Sequence, residues 1–137
     1  MGAIVLGYAH DPEGRAALDR AVEEAQLRSA RVVIVNLQRG GRSPDRDAAE
    51  DPEPGLAKIG HELDVAGVEH EIRALQRGRE PADDLVKVAA EVNADFIVVG
   101  LRRRTPVGKL KLGATLQRVL LEAACPVLTV KAEEKPH

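Results

Sequence analysis

Five short apolar runs punctuate the chain: Ala3–Tyr8, Arg31–Leu37, Val68–Leu75, Asp95–Gly100 and Pro126–Lys131. Four of them are rich in Val and Ile and nearly continuously apolar, as strands covered on both faces of a parallel sheet are. The third, V-E-H-E-I-R-A-L, alternates apolar and polar positions, which predicts a half-exposed strand at an edge. Stripes at helical spacing lie between the runs. Leu18, Ala21, Val22 and Ala25 form the first, with Asp11-Pro12 ahead of it as an N-cap and first-turn pair. Leu56, Ile59 and Leu63 form the second, closed by Gly67. Leu85, Val88, Ala89 and Val92 form the third, and Leu116, Val119, Leu120 and Ala123 the fourth, stopped before Pro126. Each stripe is expected to be a core face.

The order is therefore β-α-β-α-β-α-β-α-β. Strict alternation predicts an α/β fold, a doubly wound five-stranded parallel sheet with four helices on its two faces and right-handed crossovers. At 137 residues the chain is expected to be a single domain, 1–137. The stretch 38–54 breaks the pattern: it carries three prolines, two glycines and many charges, with Ala48 and Ala49 its only apolar side chains. It is expected to be a mobile surface loop.

Composition narrows the chemistry. With no Trp, one Tyr and one Phe, aliphatic residues must build the core. The net charge of −2 gives no global field toward nucleic acid, and no apolar run reaches the roughly 20 residues of a membrane span. The single cysteine, Cys125, allows no intrachain disulfide and is expected to be a small buried residue beside the last strand. No basic, apolar leader segment is visible, and a cytoplasmic location is expected.

The candidate chemistry lies at the strand ends. In doubly wound sheets ligands bind beyond the carboxyl ends of the strands, where strand order reverses. The first strand ends in Gly7-Tyr8-Ala9-His10-Asp11. The fourth ends in Val99-Gly100 and a loop about twice the usual length of roughly 2–6 residues, L-R-R-R-T-P-V-G-K-L-K-L-G. Gly100, Gly108 and Gly113 free backbone, Arg102, Arg103 and Arg104 bring charge, and Gly113-Ala114-Thr115 opens the fourth helix, where N–H groups and the helix dipole favour an anion. The alternative is that the glycines serve turns and the arginines form a solvated face. Neither G-x-x-x-x-G-K-[ST] nor G-x-G-x-x-G is present. Tyr8 either stacks on a ligand base or caps the core; His10 is read as a solvated loop residue. Asp83 and Asp84 start the third helix and suit its dipole. His10, His61, His70 and His137 show no metal-ligand spacing, and no Ser or Cys has an evident base, so no metal and no catalytic residue is assigned. A receiver-type function needs acids at the strand ends, and Gly7-Tyr8-Ala9 and Leu75-Gln76 provide none. Thr105 sits in a basic context, R-R-R-T-P-V, that suits phosphorylation.

The stretches I-V-L-G-Y-A-H-D-P-E-G-R-A-A-L-D-R-A, A-D-F-I-V-V-G and C-P-V-L-T-V-K, in this order and over this length, resemble the universal stress protein family. The resemblance covers nearly the whole chain. It implies strand order 3-2-1-4-5 in a Rossmann/flavodoxin-like three-layer sandwich, with the first and fourth strands adjacent. It also implies a homodimer through the last strand, at Val127, Leu128, Thr129 and Val130. The ATP-binding branch of that family carries G-x2-G-x9-G-[ST] after the fourth strand and an Asp after the first. On this chain the outer glycines fall on Gly100 and Gly113, the middle one on Arg103, the Ser/Thr on Ala114 and the Asp on Ala9.

Three of the five signature positions are thus altered. Each lost ligand hydrogen bond costs on the order of 1 kcal/mol. The resemblance therefore implies a dimeric accessory protein of the stress response, not an enzyme, with weak or absent ATP binding, protein partners of unknown identity and no certain cofactor. The alternative is a nucleotide- or phosphate-binding member, for ATP or another adenine nucleotide, that uses Gly7, Tyr8, Ala9, Val99 and Gly100 to Thr115, with Arg102–Arg104 as an anion clamp.

Overall fold

A computed structural model describes residues 2–37, 54–74, 80–101 and 114–132. The elements are β1 (Ala3–Tyr8), α1 (Pro12–Arg28), β2 (Arg31–Asn36), α2 (Pro54–Val65), β3 (His70–Ala74), α3 (Pro81–Val92), β4 (Phe96–Leu101), α4 (Ala114–Glu122) and β5 (Val127–Lys131). All strand pairs are parallel and the order is β3-β2-β1-β4-β5, as the alternation and the resemblance imply. β3, whose sequence alternates, is an edge strand. Boundaries move by one or two residues from the sequence reading. Val68 is buried ahead of β3 rather than inside it, and Pro54, assigned to the loop, is the first residue of α2. The remainder of that segment, 38–53, lies outside the described residues.

Alternating side chains of the central strands feed two cores. Ile4, Leu6 and Tyr8 join Leu18 and Ala21 of α1 and Ile59 and Leu63 of α2 on one face. Val5 joins Leu85 of α3 and Leu116 and Val119 of α4 on the other. One stripe residue departs from expectation: Leu120 is 44% exposed. α4 is only nine residues long and seats itself on Leu116 and Val119, which leaves Leu120 and the still more exposed Leu121 at its rim.

α1 begins where the sequence placed it. Asp11 caps it, accepting a 2.7 Å bond from the Gly14 amide, and Pro12 opens the first turn. Its buried face is Gly14, Ala17, Leu18, Ala21 and Ala25. All but Leu18 are small and let the helix axis approach the sheet, which is how a chain with almost no aromatic residues fills this layer. None of the described helices is long and apolar enough to cross a membrane.

α1 and α2 are joined at the surface by a two-pronged ion pair. Arg15 Nη1 and Nη2 donate to Glu62 Oε2 and Oε1 at 3.1 and 2.8 Å, and Nη2 also reaches Asp19 at 3.0 Å. The Arg15 hydrogen bond holds the Glu62 carboxyl below its ordinary value of 4.5. A carboxyl whose pKa is depressed by folding stabilises the fold above its unfolded value, and that stabilisation is lost as the pH falls through the folded value. Because the pair is largely exposed, its worth is below about 1 kcal/mol. Urea unfolding should show Glu62→Gln less stable than the parent at neutral pH by about 0.5 kcal/mol. The two proteins should converge as the pH falls through the lowered folded-state value of Glu62. A gap that persists in acid would mean that Glu62 acts through packing rather than charge.

Candidate functional site

The site is built where the two halves of the sheet part. β1 pairs with β4 from Ile4↔Phe96 to Gly7↔Val99, and there the ladder stops. β1 continues alongside β2 to Tyr8↔Asn36, while β4 continues alongside β5 through Gly100↔Val130 and Leu101↔Lys131. The sheet therefore splits at its carboxyl edge between Tyr8 and Gly100, which is the switch-point crevice of a doubly wound fold.

The first turn of α1 is wedged into one side of that split. A Cβ on Gly100 would collide with the backbone of Glu13, and a Cβ on Gly14 would collide with the backbone of Ala9. The two glycines let helix and strands touch backbone to backbone. Gly7 is crowded as well: a Cβ there would lie 3.1 Å from Val99 Cγ1 and 3.2 Å from both Leu37 Cδ1 and Leu85 Cδ1. Bareness at Gly100 is thus a packing requirement, whatever the crevice binds, whereas at Gly7 the neighbouring side chains would have to give by a few tenths of an ångström. Gly14 was not singled out in the sequence. Its signal was there, since glycine is a poor helix former yet stands in the first turn of α1.

Tyr8 takes the core alternative, with its ring among the buried residues of the α1/α2 face. Its hydroxyl lies 3.3 Å from Nδ1 of His10, an exposed ring packed edge-on at 6.2 Å between centroids. Ala9 is half-buried, and its carbonyl accepts the Asp11 amide at 2.9 Å. Val99 is buried against α3 and α4. On the other side of the split, Ala114 is exposed and Thr115 half-buried at the start of α4. Arg102, Arg103, Arg104, Thr105, Gly108 and Gly113 lie outside the described residues.

α3 and α4 are tied together beside this edge. Arg118 Nη2 donates to Asp83 Oδ1 at 2.8 Å, and its Nε lies 3.6 Å from Glu122 Oε2. Asp83 and Asp84 occupy the first turn of α3, as expected from the helix dipole, and Asp84 is buried there. The Arg118–Asp83 link spans two elements far apart in sequence and left no local signal. Cys125 is half-buried rather than fully buried, and burial pushes its thiol up, away from the reactive thiolate. Among the described residues no group of three His, Cys, Asp or Glu side chains is placed to hold a metal ion.

β5 is the second edge. Val127, Leu128 and Val130 are half-buried and Thr129 is exposed. Leu128 and Val130 pack against the α1/α2 core, and Val127 against the other.

Comparison with known proteins places this arrangement among relatives. The Universal stress protein family model matches residues 1–131. A universal stress protein of Mycolicibacterium smegmatis is 38% identical over 134 residues, 98% of either chain. The structure of the universal stress protein from Archaeoglobus fulgidus matches with a TM-score of 0.77 at 38% identity, over 96% of this chain and 98% of that one. The universal stress protein from Archaeoglobus fulgidus in complex with dAMP matches with a TM-score of 0.71 at 33% identity, with the same coverage.

Proposed function

The chain belongs to the universal stress protein family, and on that premise we propose that it is a non-catalytic, homodimeric accessory protein of the stress response whose crevice takes an adenosine monophosphate and holds ATP weakly. The observation that carries the reading is the split between Tyr8 and Gly100, a switch-point crevice at the carboxyl edge of the sheet. A relative 33% identical to this chain was solved in complex with dAMP.

Weak binding of ATP follows from three residues. Ala9 has no carboxylate for a nucleoside, Ala114 has no hydroxyl for a phosphate, and Arg103 carries a long side chain where the family's ATP signature has glycine. Two missing hydrogen bonds of about 1 kcal/mol each weaken a ligand by roughly thirtyfold, and a long side chain at Arg103 in place of a bare glycine weakens it further. Arg102–Arg104 supply positive charge for one phosphate in place of the shaped cradle that a triphosphate needs. Dimerisation uses the free edge of β5, where Val127, Leu128 and Val130 offer half-covered apolar surface beside an unextended ladder. Protein partners dock on the dimer.

Calorimetry with AMP, dAMP and ATP, combined with sedimentation of the same sample, tests the proposal. The monophosphates should bind at least about tenfold more tightly than ATP, and the protein should sediment as a dimer. No heat from any nucleotide at millimolar concentration, or ATP binding tighter than dAMP, ends the nucleotide reading. A monomer ends the dimer reading.

A further inference from the structure

The Arg118–Asp83 pair has no role in the family signature and joins α3 to α4 at a half-exposed position. Its position is informative. Arg118 stands one turn beyond Ala114 and therefore on the same face of α4. Side chains on a helix lean toward its N-terminus, so Arg118 leans toward Ala114. Its partner, Asp83, belongs to the first turn of α3, which follows β3 and starts at the carboxyl edge of the sheet. The 2.8 Å bond to Asp83 therefore holds the guanidinium between the first turns of α3 and α4, on the carboxyl-edge side of the sheet toward which the split opens.

Resting on the reading above, we infer that Arg118 is the phosphate-contacting side chain of the crevice, positioned by Asp83, and that it replaces the hydroxyl which Ala114 lacks. A guanidinium carries five donors in a rigid fork. Asp83 engages one nitrogen, Nη2, and Glu122 lies at the longer 3.6 Å from Nε. The side chain is 41% exposed, so its outer edge is open to an incoming oxygen. Docking against Asp83 fixes the rotamer before the ligand arrives, which reduces the ordering cost of binding. The same geometry limits the charge of the ligand. Asp83 and Glu122 offset much of the Arg118 charge, so each further negative charge on a ligand adds repulsion from those carboxylates, least for a single phosphate and most for a triphosphate.

The test separates a phosphate contact from a structural role. dAMP and deoxyadenosine are titrated by calorimetry into the full chain, into Arg118→Gln and into Arg118→Lys, with thermal unfolding of each. Arg118→Gln should weaken dAMP roughly tenfold, the loss of one charge-assisted hydrogen bond, and leave deoxyadenosine unchanged. Arg118→Lys, which restores the charge, should recover most of the lost affinity. Unchanged dAMP binding in Arg118→Gln overturns the assignment while the nucleotide reading stands. Equal loss of dAMP and deoxyadenosine also overturns it, because Arg118 then only shapes α4. Wild-type protein that binds neither compound overturns both readings.

Discussion

Gly100→Ala should lower the midpoint of thermal unfolding by roughly 3–10 °C, the equivalent of about 1–3 kcal/mol of overpacking in a chain of this size. Gly14→Ala should cost at least as much, although alanine is the better helix former. The cause is the same at both positions. The new methyl has no flexible side chain to displace: it meets the backbone of Glu13 at Gly100 and the backbone of Ala9 at Gly14. Relief requires α1 to retreat from the β1/β4 split, and its Ala17, Ala21 and Ala25 face would lose close contact with the sheet. Gly60→Ala is the control. It lies inside α2, and its methyl would meet His70 Nε2 at an ordinary 3.4 Å. Helix propensity then dominates, and the variant should gain about 0.5–1 kcal/mol. Circular dichroism melts of the three variants decide the matter. A neutral Gly100→Ala would show that the first turn of α1 is not held by backbone contact at the split.

Glycine is the residue whose role a sequence discloses least. Gly100 and Gly7 attract attention because they end strands at the carboxyl edge, where a ligand is expected, and ligand access and close packing both demand the same missing Cβ. Spacing cannot separate the two; only the neighbours can, and here they are Glu13 for Gly100 and Val99, Leu37 and Leu85 for Gly7. The fold was far more legible. Continuous apolar runs against the alternation of V-E-H-E-I-R identified buried strands and one edge, because burial on one face or two writes directly into side-chain period. The Asp11-Pro12 start of α1 was equally clear, since capping is a local interaction. What escaped was long-range. Leu120 follows helical spacing yet stays 44% exposed on the short α4, and the Arg118–Asp83 pair joins residues whose nearness depends on the whole β3-α3-β4-α4 path.

Restoring the signature should restore ATP. The triple variant Ala9→Asp, Arg103→Gly, Ala114→Ser should bind ATP about a hundredfold more tightly than the parent protein, at on the order of 1 kcal/mol for each recovered interaction. Two of the changes extend an existing Cβ. Ala9 already carries a Cβ and stands at the end of β1 beside the split, so a carboxylate extends from an existing position. Ala114 is exposed at the first residue of α4, where serine is well tolerated. Arg103→Gly acts in the opposite sense on charge: it removes one of three neighbouring cations while uncovering backbone. The order of addition is therefore diagnostic. Ala9→Asp should improve the nucleosides and nucleotides alike, because a carboxylate beside the nucleoside does not see the phosphates. Ala114→Ser should improve only ligands with a phosphate. Arg103→Gly should favour ATP over dAMP, since an open cradle serves a chain of phosphates and a lone arginine serves one. Calorimetry on each step reads these separately. If ATP affinity stays at the parental level in the triple variant, the altered signature positions are not what sets ATP affinity in this protein, and the proposed weak binding of ATP loses its basis.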